Sequence, residues 1–253
     1  MPTVVMTHGA FCGGWAFEAF RQPFEAAGWD VLAPDLPGHA EGDARDAVAG
    51  LSMSDYANAL VGLCATLPEP PVLLGHSMGG LVSQIAARRV RARALVLLAP
   101  SAPWGIPGSS IEEAITAMGV HLADPFWMGS VEPDRGLMRS HSLDRTPAPV
   151  RDAVIARLRP ESGRAVREVL NWWLDPFMTT SIGPGALPMP GLCVAGERDV
   201  VHPAATVRQT AGRIGASFLP MPGMSHWLIG ETGWEQVAEA SLQWLAAEAR
   251  ISA

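Results

Sequence analysis

Short apolar runs recur along the chain, and each is followed by a loop and a stretch in which apolar residues have helical spacing. The runs with strand character lie near residues 3–7, 30–33, 72–75, 94–99, 191–195 and 217–221. Nearly continuous apolar strands that alternate with helices are typical of a parallel sheet covered on both faces. The pattern therefore predicts an α/β fold with a mostly parallel sheet of about six strands flanked by helices.

Helix signals lie between several of these runs. Ser52, with Asp55 three residues later, resembles a capping box that opens a helix ending near residue 66. A second helix is expected directly after Ser77, and residues 234–249 have the apolar spacing of a closing amphipathic helix.

The strand-like apolar runs stop after residue 100 and start again near residue 190. The interval begins and ends with Pro/Gly-rich stretches, and residues 149–158 and 163–174 within it have helical periodicity. We expect a core formed by residues 1–100 and 190–253, with residues 101–189 inserted as a helical cap, or lid.

Charge and composition exclude several classes of protein. The net charge of −7 leaves no basic surface for nucleic acid or anionic membranes, and no apolar run is long enough to span a bilayer. All 18 basic residues are arginine, so no lysine is present to complete a phosphate-binding P-loop or to form a Schiff base. The 48% hydrophobic content predicts a globular domain.

The chain starts a strand-like run at Thr3, so we expect no signal peptide in this sequence. The three cysteines form no C-x-x-C pair, and this indicates a reducing compartment and no metal site. No G-x-G-x-x-G motif follows the first strand. We therefore expect a cytoplasmic protein without cofactor or metal.

A G-x-S-x-G pentapeptide, Gly75-His76-Ser77-Met78-Gly79, lies between an apolar run and a helix. A serine on such a sharp strand-to-helix turn is exposed as a nucleophile, and the glycines let neighbouring backbone approach closely. A serine that merely caps a helix leaves the paired glycines unexplained. Ser77 is thus the candidate nucleophile.

A serine hydroxyl needs a base, which a histidine oriented by a carboxylate supplies. His226 follows the last strand-like run and Asp199 follows the one before it, so both are expected at the carboxyl edge of the sheet. Glu197 and Asp175 are rival acids. The chain order Ser77, Asp199, His226 is the one expected for an α/β-hydrolase.

The pentapeptide around Ser77 and the segments that contain Asp199 and His226 together resemble the α/β-hydrolase fold, and the resemblance extends over nearly the whole chain. The segment from His8 to Trp15 is similar to a loop of plant methylesterases, a branch that includes hydroxynitrile lyases; the missing lysine and Gly9, where the lyases have threonine, disfavour lyase chemistry. The resemblance implies that the backbone amides of Ala10 and Met78 stabilise the oxyanion.

These features predict a serine hydrolase that cleaves a carboxylic ester of a small hydrophobic molecule through an acyl-enzyme on Ser77. Lactone, thioester or amide cleavage and acyl transfer use the same residues, and some proteins of this fold are small-molecule receptors. The oligomeric state stays open. The residues expected to contact substrate are aromatic: Phe11, Trp104, Trp127, Trp172 and Trp173.

Overall fold

The largest element of the structure is a six-stranded parallel sheet. A computed structural model describes residues 1–108, 129–183 and 185–247. In these ranges the sheet consists of β1 Thr3–Thr7, β2 Asp30–Leu32, β3 Val72–His76, β4 Ala94–Leu98, β7 Gly191–Gly196 and β8 Ser217–Met221. Its spatial order is β2-β1-β3-β4-β7-β8. The predicted parallel sheet is confirmed, with every strand within one residue of its expected limits.

Helices connect successive strands of the sheet. Ser52 caps α2 through a complete capping box with Asp55, as the sequence indicates. The helix bounds are α1 Arg21–Ala26, α2 Met53–Thr66, α3 Met78–Ala87, α4 Arg135–Leu137, α5 Ala148–Arg157, α6 Gly163–Leu170, α7 Ala204–Ile214 and α8 Trp234–Ala247. The helix expected over 163–174 ends at Leu170, and the chain continues as a 3₁₀ turn over Trp172–Leu174. None of the helices in the described ranges is long and apolar enough to cross a membrane.

Two apolar layers cover the two faces of the sheet. Alternate residues of each strand enter opposite layers: Val4 and Met6 join one, whereas Val5 joins the other. The first layer includes side chains of α1 and α8, and the second includes side chains of α2, α3 and α7. All three cysteines are free and buried. Burial on both faces explains why the strands have continuous apolar sequences.

The described residues between 101 and 189 form helices and a small ribbon that the sequence did not predict. Strands β5 Ser130–Val131 and β6 Glu161–Ser162 form a two-stranded antiparallel ribbon. These strands are too short for a periodic pattern, so only their pairing in the folded chain defines them. The proposed cap limits remain a prediction, and Trp127 lies outside the described residues.

The order in which strands are added to the sheet reverses direction between β1 and β3. From β1 it first adds β2 on one side, and then returns to place β3 on the other. Loops after strands at such a switch point leave a crevice in which α/β proteins bind ligands. The loop after β1 and the turn at Ser77 after β3 both lie at this edge.

A close approach between α3 and the end of β1 depends on Gly79. A Cβ atom at this position would overlap the carbonyl oxygens of Thr7 and His8. At Gly62, in the exposed part of α2, a Cβ atom would meet no other atom within 4 Å. The two glycines therefore provide a matched pair of sites in neighbouring helices.

We expect Gly79→Ala to lower the free energy of unfolding by about 1–3 kcal/mol or more, because α3 must move away from β1. Gly62→Ala should raise it by roughly 0.5–1 kcal/mol, because alanine has the higher helix propensity. Urea unfolding followed by circular dichroism measures both. Equal effects of the two substitutions would contradict the close packing described above.

Candidate active site

Ser77 occupies a strained turn between β3 and α3. Its backbone has φ 53° and ψ −124°, which non-glycine residues rarely adopt. Such conformations cost about 1–3 kcal/mol and persist only where surrounding structure holds them. Here the Ser77 amide donates to the Leu98 carbonyl at 3.0 Å, and the Ser77 carbonyl accepts from the Gly80 amide at 2.9 Å and the Ser101 amide at 3.0 Å.

The glycine before the turn is required by close packing. A Cβ atom at Gly75 would overlap the carbonyl oxygen of Gly79 and approach the Ser83 hydroxyl. Gly75 and Gly79 thus let the strand and the helix meet tightly, and Ser77 projects from the tip of the turn. The half-buried Ser77 side chain faces a cavity at the carboxyl edge of the sheet.

The structure brings together the three residues predicted as nucleophile, base and acid. The Ser77 Oγ lies 3.1 Å from His226 Nε2, and His226 Nδ1 lies 2.9 Å from Asp199 Oδ2. Because a carboxylate only accepts hydrogen bonds, Nδ1 donates to Asp199 and Nε2 is left to accept from the serine hydroxyl. This is the arrangement in which a histidine removes the proton of a serine.

The orientation of Asp199 is set by the chain that follows it. Its Oδ1 accepts hydrogen bonds from the amides of Val201 at 2.8 Å and His202 at 2.9 Å. Burial acts to raise the pKa of Asp199, but the charge and hydrogen bond of His226 and the charge and amide of His202 outweigh it and lower this pKa. Asp199 is therefore charged at neutral pH.

Neither of the two rival acids is the carboxylate placed against His226. Glu197 is exposed. Asp175 accepts hydrogen bonds from the amides of Phe177 at 3.0 Å and Thr179, which close a turn. Asp199 is the carboxylate that contacts His226.

Two further histidines flank His226. His76 Nε2 lies 2.9 Å from the carbonyl oxygen of His226, and burial lowers the pKa of His76 to about 3, so this ring is neutral and donates to that oxygen. His202 Nε2 lies 2.9 Å from Ser101 Oγ, and its ring centroid lies 5.2 Å from that of His226. The imidazole of His226 is thereby enclosed by packed rings and fixed in position.

The loop Gly9–Cys12, called the β1 loop below, lies beside Ser77. A Cβ atom at Gly9 would be only 3.0 Å from the Ser77 Cβ, and Ala10 and Met78 both line the cavity. Met78 is the first residue of α3, where amides have no partner within the helix. Phe11 has φ 66°, a left-handed conformation. These placements agree with the predicted oxyanion site at Ala10 and Met78, whose role stays a prediction.

The cavity in front of Ser77 has a volume of about 280 Å³. Phe11 lines it, as predicted, but Trp104, Trp172 and Trp173 do not. Those tryptophans pack edge to face, with centroids 5.4 Å apart for Trp104 and Trp172 and 5.9 Å apart for Trp172 and Trp173. Among the residues that the structure describes, their prediction as substrate contacts is therefore not supported.

A large part of the wall comes from smaller apolar residues that were not predicted from the sequence. They lie on β5, at the end of α4 and directly after it, on helix α6 and in the loop after Asp199: Val131, Leu137, Met138, Val166, Val169, Leu170, Val200 and Val201. On α6, Val166, Val169 and Leu170 have the spacing of one helical face, which is a signal that the sequence contained.

Comparison with known proteins assigns the fold to a family. A model of the alpha/beta hydrolase family matches residues 4–240 of this chain. The chain belongs to the α/β-hydrolase family. The predicted family resemblance is thus confirmed, including the likeness to plant methylesterases, since such proteins are among the relatives.

Three similar proteins illustrate the range of this family. The pyrethroid hydrolase of Sphingobium wenxiniae is 26% identical over 246 residues, which cover 93% of this chain and 86% of that protein. Salicylic acid-binding protein 2 of Nicotiana tabacum is 34% identical over 110 residues, 42% of each chain. The crystal structure of the methylesterase MES16 from Arabidopsis superposes with a TM-score of 0.73 at 18% identity, covering 97% of this chain and 99% of that one, and shows the shared fold.

A buried carboxyl group, Glu231, lies near His226. Its Oε1 accepts a hydrogen bond from the Ser225 amide at 2.8 Å, and only 1% of the residue is exposed. Burial raises the pKa of Glu231 to about 7, helped by the negative charges of Asp144 and Asp199. The unfolded chain binds this proton with the ordinary pKa of 4.5.

Because the folded-state pKa of Glu231 is the higher one, its contribution to stability is fully present below pH 4.5 and is lost as the pH rises through about 7. We expect Glu231→Gln, which keeps an acceptor for the Ser225 amide, to reduce the loss of stability between pH 5 and pH 8. Urea midpoints of both proteins at the two pH values measure this. An unchanged difference between the midpoints would contradict a titrating Glu231.

Proposed function

We propose that this α/β-hydrolase cleaves a carboxylic ester of a small, uncharged, hydrophobic substrate through an acyl-enzyme on Ser77. The observation that supports this most strongly is the hydrogen-bonded series from Ser77 through His226 to Asp199, at a strained turn that faces an apolar cavity. Neither a helix cap nor a packing role accounts for that arrangement.

In the first half-reaction, Ser77 Oγ attacks the carbonyl carbon of the ester while His226 Nε2 accepts the hydroxyl proton. Negative charge then develops on the carbonyl oxygen, where the amides of Ala10 and Met78 stabilise it. The bond to the leaving oxygen breaks, and His226 returns the proton to the departing alcohol. Ser77 is left acylated.

In the second half-reaction, a water molecule takes the place of the alcohol. His226 accepts a proton from the water as the oxygen attacks the acyl carbon, and the bond to Ser77 Oγ breaks with return of that proton to the serine. Asp199 holds the imidazole and stabilises its positive charge in both steps. The products are an alcohol and a carboxylic acid.

The cavity supports the choice of substrate class. Its wall is mainly apolar, and the charged side chains that line it in the described ranges are the carboxylates Glu132 and Asp134. Arg45 pairs with Glu132 at 2.7 Å and offsets its charge, and an apolar acyl or alcohol group gains from burial against this wall. The relatives named as hydrolases or methylesterases point in the same direction.

We expect the wild-type protein to hydrolyse p-nitrophenyl esters, and Ser77→Ala to lose at least about a thousandfold in kcat because the nucleophile is absent. Release of nitrophenolate across a series of increasing acyl length provides the measurement. Ser217→Ala, which changes an exposed serine on β8, is the matched control and should retain wild-type rates.

The same series separates the alternatives. Turnover that survives Ser77→Ala, or no turnover of any ester, would exclude the proposed mechanism. Acylation of Ser77 with little hydrolysis, and product formation only with added alcohols or amines, would indicate an acyltransferase. Tight binding of small apolar ligands without turnover would indicate a receptor.

The acid can be tested separately from the nucleophile. We expect Asp199→Asn to lower kcat by about 10³- to 10⁴-fold, because an amide placed against His226 favours the wrong tautomer. Glu197→Gln, two residues earlier and exposed, should leave kcat unchanged. Steady-state kinetics on one well-hydrolysed ester decides between the two carboxylates. A larger loss of kcat in the Glu197 variant would make Glu197, and not Asp199, the acid.

A further inference from the structure

A buried carboxylate outside the proposed triad, Glu161, contacts four different parts of the chain. Glu161 is fully buried on β6, in the segment expected to form the cap. Its Oε1 accepts from the Tyr56 hydroxyl at 2.5 Å and from the Ser162 amide at 2.7 Å. Its Oε2 lies 3.0 Å from His39 Nε2 and 3.4 Å from the Phe11 amide.

The ionic state of this group follows from its partners. Burial acts to raise the pKa of Glu161, but the hydrogen bonds and charge of His39, the Tyr56 hydroxyl and the Ser162 amide lower it overall. Burial acts in the opposite sense on His39, and there Glu161 prevails and raises the pKa. The two side chains form a buried ion pair, for which a loss of either partner is strongly unfavourable.

Phe11, one residue after Ala10, is held on both sides by the segment Arg159–Glu161. The Arg159 amide donates to the Phe11 carbonyl at 2.9 Å, while the Phe11 amide faces Glu161 Oε2. Phe11 is in a left-handed conformation that a bulky residue adopts only under constraint. Contacts with β6 therefore contribute to the shape of the β1 loop.

We infer that Glu161 is a positioning residue for ester hydrolysis, which holds the β1 loop so that the Ala10 amide points at the oxyanion. This inference rests on the proposed function and on the oxyanion role of Ala10. Glu161 touches no reacting atom, since its contacts reach Ala10 only through Phe11. It makes the oxyanion site depend on the docking of β6 against the core.

Only a carboxylate satisfies this set of partners. The amides of Ser162 and Phe11 are both obligatory donors, and each faces a different oxygen of Glu161. A glutamine has a single oxygen, so one of the two amides must face its NH₂ group. The Ser162 contact is shorter and adjacent in sequence, and the Phe11 contact is therefore the one that Glu161→Gln breaks.

Glu168 provides a matched control. It is also a buried carboxylate of the same region, and it accepts from the Met53 amide of α2 at 2.8 Å and pairs with Arg164 at 2.9 Å. Its side-chain hydrogen bonds go to α2 and to Arg164 and not to the β1 loop, and a glutamine still accepts from Met53. Glu168→Gln thus changes a comparable contact between α6 and α2 without affecting Phe11.

The test measures the reactivity of Ser77 in two ways. The first is kcat and KM for a p-nitrophenyl ester. The second is the rate of labelling by a fluorophosphonate, in which Ser77 Oγ bonds to phosphorus, fluoride leaves, His226 takes the proton and the phosphoryl oxygen occupies the oxyanion site. We expect Glu161→Gln to lower kcat and the labelling rate in parallel by about 10- to 100-fold with little change in KM.

A double-mutant cycle distinguishes positioning from a general loss of structure. Glycine adopts the φ of Phe11 without strain, so Glu161→Gln should cost less in a Phe11→Gly background than in the wild type. Thermal unfolding checks that each variant is folded. If Glu161→Gln does not fold, Glu161→Asp, which keeps the negative charge but shortens the reach of the carboxylate toward Phe11, is measured instead and should show the same parallel loss.

Equal losses for Glu161→Gln and Glu168→Gln, an unchanged rate for Glu161→Gln, or an equal cost in both backgrounds would overturn the inference. Failure of the proposed function gives a different result. If the wild type labels at Ser77 but hydrolyses no ester, ester hydrolysis is refuted and the labelling rates still decide the role of Glu161. If Ser77 does not label at all, both proposals fail.

Discussion

The candidate site depends on one constraint, the left-handed backbone of Ser77 at the tip of β3. A turn this sharp aims the hydroxyl into the crevice, and it is stable only because the Leu98 carbonyl and the Gly80 and Ser101 amides hold its peptide groups. Glycines on either side allow the helix and the strand to approach without overlap. The strain is thus balanced by the surrounding sheet, and Ser77 is held beside its partners.

The partners of Ser77 come from distant parts of the sequence, and the sheet brings them to one edge. Because the strands are parallel, the loops after β3, β7 and β8 emerge on the same side, which places Ser77, Asp199 and His226 within hydrogen-bonding distance. Buried rings of His76 and His202 then limit the movement of the imidazole. Rigid placement of acid, base and nucleophile is what acyl-transfer chemistry requires.

The contacts of Glu161 make the candidate site depend on a second set of interactions. They link the ribbon β5–β6 with α2, the loop at His39 and Phe11 of the β1 loop. In the proposed mechanism, the segment that forms one wall of the cavity also shapes the place where charge develops. Substrate recognition and transition-state stabilisation would then share structural elements.

Much of this arrangement was predictable from sequence because it depends on local chemistry and on the spacing of apolar residues along the chain. Continuous apolar runs marked the strands, Ser52 with Asp55 marked the start of α2, and the glycines around Ser77 marked the turn. Of the cavity wall, the residues on α6 had a signal in the sequence, whereas the residues on β5 and the role of Glu161 had none. Two-residue strands have no period, and tryptophans at 104, 172 and 173 pack on one another instead of lining the cavity. The sequence by itself determined the fold class and the candidate nucleophile, base and acid, whereas only the tertiary structure decided which side chains surround them, because such contacts join residues far apart in the chain.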